Sequence, residues 1–132
     1  MTLTHVRAFA AAMQAKDADG MLAQMADGVV LNTPLSAEPV RGKAAIRPVV
    51  DALLATIDTF EIREILEGPG RAAAYFGASA GPHRLDGVDV WRLDAAGRIA
   101  EMSVLWRPLP AAIAVRDLLA RAAGPGGSAP AR

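Results

Sequence analysis

Apolar positions recur at helical spacing in the first half of the chain and alternate along most of the second. Val6, Phe9, Ala10 and Met13 fall at i, i+3, i+4 and i+7, which predicts an amphipathic helix over residues 4–17 with Thr4 as its N-cap. Asp19 is placed to cap a short second helix carrying Leu22 and Met25, closed by Asp27 and Gly28. Val29 to Leu31 form a β-prone run that ends at Asn32-Thr33-Pro34, where the proline stops regular pairing. Ile46, Val49, Val50, Leu53, Leu54 and Ile57 make the clearest helical stripe. Pro48 would remove an interior hydrogen bond from a helix begun at Lys43, so a regular helix is expected from about Arg47.

Beyond Asp58 the period drops to two, which predicts a meander of strands. Phe60, Ile62 and Leu66 alternate with charged residues up to Gly68-Pro69-Gly70. The next strands are Arg71 to Ala80, His83 to Asp94 and, after a tight Ala95-Ala96-Gly97 hairpin, Arg98 to Arg107. Pro108 and Pro110 end strand pairing, and Ala111 to Ala123 predict a terminal helix. The order gives an α+β class, a curved antiparallel sheet with helices burying their single apolar stripes on one face. The expected organisation is one domain over residues 1–110, a C-terminal helix over 111–123 and a disordered tail over 124–132, where no apolar anchor occurs.

Composition narrows the function classes. A chain of 132 residues, 52% hydrophobic, suits a single core that needs no disulfide or metal staple. The absence of Cys excludes thiol nucleophiles, disulfide redox chemistry and thiolate zinc sites, and makes the cytoplasm the default compartment. Fourteen basic residues balance fourteen acidic ones, so no phosphate-tracking surface and no nucleic-acid partner are expected. No apolar run approaches the roughly 20 residues that span a bilayer, so no membrane partner is expected either. The glycine-rich pieces lack the Lys-Ser/Thr ending of a phosphate loop, and no Gly-x-Ser-x-Gly elbow occurs. His5 and His83 stand far apart without a carboxylate pattern, so neither a metal nor a cofactor is anticipated.

The informative segment is Leu85 to Leu93. Alternation puts Leu85, Gly87, Asp89, Trp91 and Leu93 on one face, so Asp89 sits among apolar neighbours. A carboxyl there either has its pKa raised or needs a donor, and such groups often serve proton transfer or donate to a ligand. A structural acid tied to backbone or to an arginine is the plain alternative. Met102, Val104 and Trp106 share a face of the last strand, so Trp91, Trp106 and Asp89 can wall one space that Ala72, Ala74 and Ala78 leave unfilled. Large aromatics with one acid suit an apolar, ring-sized ligand. Asn32 and Thr33, where the first strand ends, either orient ligand oxygens or satisfy the local turn.

Three segments carry a family resemblance: Ala26 to Leu35, Arg41-Gly42-Lys43-Ala44-Ala45-Ile46 and Gly87 to Ile99. Together they resemble the nuclear-transport-factor-two-like, SnoaL-like superfamily, which includes the bacterial ketosteroid isomerases. The resemblance implies a cone-shaped cystatin-like roll with a small-molecule mouth and a homodimer formed through the sheet. Carried over by position, the protonated acid of the ketosteroid isomerases matches Asp89, their tyrosine matches Phe9 and their base matches Thr33. Phe9 has no hydroxyl and Thr33 is no base near neutral pH, so steroid isomerisation by that mechanism is not expected. Asn32-Thr33-Pro34-Leu35 suggests the limonene-epoxide-hydrolase branch, but that branch's last-strand acid falls on Pro108 and its Arg-x-Asp pair has no counterpart here.

The expectation is therefore a pocket protein for an apolar cyclic metabolite. Asp89 would be its general acid or hydrogen-bond donor, Asn32 and Thr33 would orient polar groups, and Phe9, Met13, Trp91, Met102 and Trp106 would form the wall. If catalytic, it would run cofactor-free isomerisation, aldol-type cyclisation or dehydration. Otherwise it is a noncatalytic binding or dimerisation module with a structural Asp89. The apolar Val88 and Val90 on the opposite sheet face point the same way as the implied homodimer.

Overall fold

The computed structural model describes residues 3–123. In chain order the elements are α1 (Thr4–Gln14), α2 (Ala18–Ala23), β1 (Met25–Asn32), β2 (Val40–Arg41), α3 (Lys43–Thr56), β3 (Thr59–Gly68), β4 (Arg71–Ala80), β5 (His83–Leu93), β6 (Ile99–Arg107) and α4 (Leu109–Ala123). The strands form one curved, unclosed sheet in the order β2-β1-β6-β5-β4-β3. The α+β class holds, with the helices against the sheet's inner face. The proposed tail at 124–132 lies outside the described residues. No helix among the described residues is long and apolar enough to cross a membrane.

The sheet is mixed rather than wholly antiparallel, because β1 runs parallel to β6. Everything from β2 to β5 forms the long crossover that a parallel pair requires. The β1–β6 register breaks between Met25 and Val30. In consequence Asp27 and Gly28 belong to an irregular stretch of β1 and do not close α2.

Helix ends differ from the sequence expectation for local reasons. Leu3 is the N-cap of α1 and Thr4 lies inside its first turn; the helix stops at Gln14, followed by Lys16 in a left-handed conformation. Asp17, not Asp19, caps α2, its carboxylate accepting from the Gly20 amide at 3.0 Å. Asp19 instead meets Arg47 of α3 at 2.6 Å. That helix starts at Lys43 and carries Pro48 in its interior, at the cost of one bond to the Ala44 carbonyl. Gly42 makes the early start possible: at φ 84° it turns the chain off β2 while its amide bonds the Val29 carbonyl at 2.8 Å.

In β3 the alternation changes phase. Ile62 pairs with Phe76 but Glu64 pairs with Tyr75, so Arg63 is a bulge residue. Ile65 thereby takes the inner face, and Leu66 is left 56% exposed on the outer one. The core is built in two joined clusters. One packs Val6, Phe9 and Met13 of α1 and Ile46 and Val50 of α3 onto Trp91 and Met102. The other seats Val115 and Leu119 of α4 on Ile57, Phe76 and Leu85.

Candidate functional site

The site begins with the pleat of β5. Leu85, Gly87, Asp89, Trp91 and Leu93 all point inward and are buried. Asp89 lies opposite Ala74 on β4 and Val104 on β6, neither of which carries a side-chain donor. The residue is 3% exposed and, among the described residues, its carboxyl has no hydrogen-bond or ionic partner. Burial alone therefore acts on it, and pushes its pKa up from 3.8 to about 7. A neutral carboxyl in this setting is a donor with nothing in the protein to donate to.

Asp89 is one of the residues lining a partly open cavity between the sheet and the helices. Phe9 and Met13 of α1 and Met21 of α2 line it on one side, and Val49, Val50 and Leu53 of α3 on another. The sheet contributes Leu31, Phe60, Phe76, Met102, Val104 and Trp106 around Asp89. Thr33, Pro34 and Leu35, which follow β1, and Leu119 of α4 complete the lining. The space open to the centres of water-sized molecules is about 70 Å³, room for about five waters or a small ring. Apart from Asp89 and Thr33 the lining side chains are hydrocarbon, thioether or indole. The Thr33 hydroxyl oxygen accepts from the Leu35 amide at 3.2 Å, which leaves its proton free to donate. No group of residues that could hold a metal ion occurs among the described residues.

Of the residues singled out from the sequence, the fold brings Phe9, Met13, Thr33, Asp89, Met102 and Trp106 to one cavity. Two do not join them. Trp91 is fully buried beneath the cavity wall: its ring meets Phe9 edge-on at 5.9 Å between centroids, and its Nε1 donates to Met102 Sδ at 3.0 Å. It supports two lining residues instead of lining the space itself. Asn32 points to the other sheet face, where its amide donates to Glu101 at 2.9 Å and to Ser103 at 3.0 Å. The α3, Phe76 and Leu119 contributions were missed, since an apolar stripe reads the same whether it meets other side chains or empty space. Arg107 pairs with Asp86 at 3.1 Å on the outer face, where Tyr75 also donates to Asp86 at 2.9 Å. Desolvation pushes the Asp86 carboxyl up, but Tyr75, Arg107 and the nearby Arg63 charge together outweigh it and hold the carboxyl below its ordinary range.

The fold has relatives of known structure. A steroid delta-isomerase from Pseudomonas aeruginosa superposes with a TM-score of 0.82 at 21% identity, covering 89% of this chain and 87% of that one. A protein with a cystatin-like fold from Silicibacter pomeroyi gives 0.80 at 22% identity, covering 93% and 90%. The epoxide hydrolase/cyclase-like enzyme SalBIII of pyran ring formation in salinomycin gives 0.68 at 20% identity, covering 78% and 88%. At these identities the likeness is one of fold. No curated protein matches the chain in sequence. The SnoaL-like domain family matches residues 6–102, a span running from α1 through the cavity-lining Met102, and the chain belongs to that family.

Proposed function

We propose that the chain binds an apolar cyclic molecule bearing one hydrogen-bond-accepting oxygen, with the neutral Asp89 carboxyl donating to that oxygen. The observation that carries this reading is a buried acid with no partner, lining an otherwise apolar cavity. A carboxyl kept neutral below about pH 7 loses little by donating to a ketone, whereas an ionised one would repel the same oxygen. Thr33, on the segment that follows β1, is the lining residue we take as the second donor, since its hydroxyl proton is unspent. Such a pair polarises a carbonyl and favours charge developing on its oxygen, as in enolisation, aldol-type cyclisation or dehydration. The isomerase and cyclase among its structural relatives support this range of chemistry.

Among the described residues Asp89 is the only ionisable side chain in the lining, so a proton removed from a ligand while Asp89 stays protonated has to pass to water. This favours donor and general-acid roles over a two-group shuttle. Infrared spectroscopy of bound cyclohexanone tests the reading. The carbonyl stretch should move to lower frequency in the wild-type chain below pH 7 and return toward its apolar-solvent position in Asp89→Leu. A carbonyl band that is identical in the two proteins, with binding retained, would overturn the assignment.

A further inference from the structure

The C-terminal helix stands in an unusual relation to this cavity. α4 lies wholly beyond the residues matched by the family, 6–102, yet Leu119 from its second half is part of the lining. Val115 and Leu119 are buried against Ile57, Phe76 and Leu85, with Ala111 and Leu118 half-buried on the same cluster. Among the described residues the polar side-chain contacts of α4 stay inside the helix, Arg116 reaching Asp117 at 3.3 Å. Shape and apolar burial alone therefore set where the helix sits. At the cavity Leu119 is joined by Leu35, Leu53 and Trp106, a wall with no polar atom to reward a ligand oxygen except the indole N–H. Two kinds of chemistry thus line one space: a single acid, Asp89, and a hydrocarbon wall that includes Leu119.

We infer that Leu119 is a specificity-determining residue, setting the length of the apolar ligand that the cavity accepts; this rests on the reading of the cavity as a ligand site. Truncating it opens the wall by three carbons and replacing it with a larger ring closes the space, while Asp89 is untouched. Because a hydrocarbon needs only the wall, the length effect can be read without the carboxyl.

The full-length chain is titrated with n-alkylbenzenes from toluene to pentylbenzene, followed by tryptophan fluorescence and by the upshift in Tm. Affinity should rise about fourfold per added methylene until the wall is met, then fall. In Leu119→Ala the maximum should move to a longer chain, and in Leu119→Phe to a shorter one. Leu118→Ala, on the same helix but outside the lining, should keep the wild-type profile. An unchanged maximum in Leu119→Phe overturns the inference even if Leu119→Ala fails to fold, and so does the absence of alkylbenzene binding to the wild-type chain. A parallel series of 4-alkylcyclohexanones separates the two readings. Loss of any preference for ketone over hydrocarbon below pH 7, with the length profile intact, defeats the role of Asp89 and supports that of Leu119.

Discussion

Asn32 and Thr33 are neighbours in the chain but serve opposite faces of the sheet. Thr33 lines the cavity, while the Asn32 amide is spent on Glu101 and Ser103 outside it. Substitution should separate them. Asn32→Ala should leave cyclohexanone affinity unchanged and cost about 1 kcal/mol of stability, the worth of its exchanged hydrogen bonds. Thr33→Val keeps the volume but removes both the donor proton and the acceptor for the Leu35 amide, so ketone affinity should fall several-fold. Calorimetric titration beside thermal unfolding distinguishes the two; equal effects on binding would contradict the placement.

Stability should depend on pH through Asp89, and the sign is fixed by the direction of its shift. The folded chain holds this proton up to about pH 7, whereas an unfolded carboxyl releases it near 3.8. Between those values the folded state binds more protons, so stability falls as pH rises and levels off above about 7. The whole effect is on the order of 4 kcal/mol at 1.36 kcal/mol per unit. Asp89→Asn should lose this slope and be more stable than wild type at pH above 7, and, since its amide still donates, should keep a preference for ketones that no longer depends on pH. Urea unfolding across the range checks it; parallel wild-type and variant curves would refute the buried, unpartnered carboxyl.

Trp91 should prove to be a support and not a contact. It is fully buried, bonded to Met102 Sδ and packed edge-on against Phe9. Trp91→Phe retains an aromatic ring but loses the donor and leaves a void, and is expected to cost about 2–4 kcal/mol. Ligand affinity should drop only as far as Phe9 and Met102 shift. A variant of unchanged Tm with abolished binding would place Trp91 in the cavity instead.

The outer face of the sheet yields the last expectation. Val88 lies opposite Leu105 and Tyr75, and Leu66 and Leu105 are each 56% exposed there. We expect this face to pair two copies of the chain, with Leu105→Glu converting the dimer to a monomer. Sedimentation velocity at micromolar concentration is the measurement, and a monomeric wild-type chain would rule it out.

Hydrophobic periodicity made much of this legible. The α+β order, the inward row of β5 and the isolation of Asp89 on it follow from a period of two and from what sits beside the acid in sequence. The hairpin is legible for a similar reason: Asp94 accepts from the amides of Ala96 and Arg98, and Gly97 takes φ 81°. Where the alternation slips, periodicity misleads, and a single bulge at Arg63 is enough to send Leu66 outward.

Local sequence thus determined which side chains share a face, because pleat and helical pitch are fixed by the backbone. Only the tertiary arrangement decided which of those faces meet and where they fail to fill the space between them. The parallel return of β6 to β1 sets the inward side chains of both beside Asp89. α4 then brings Leu119 from the far end of the described chain to the same cavity. An apolar position carries no mark of whether its partner is another side chain or an opening, since that depends on volumes summed over elements distant in sequence.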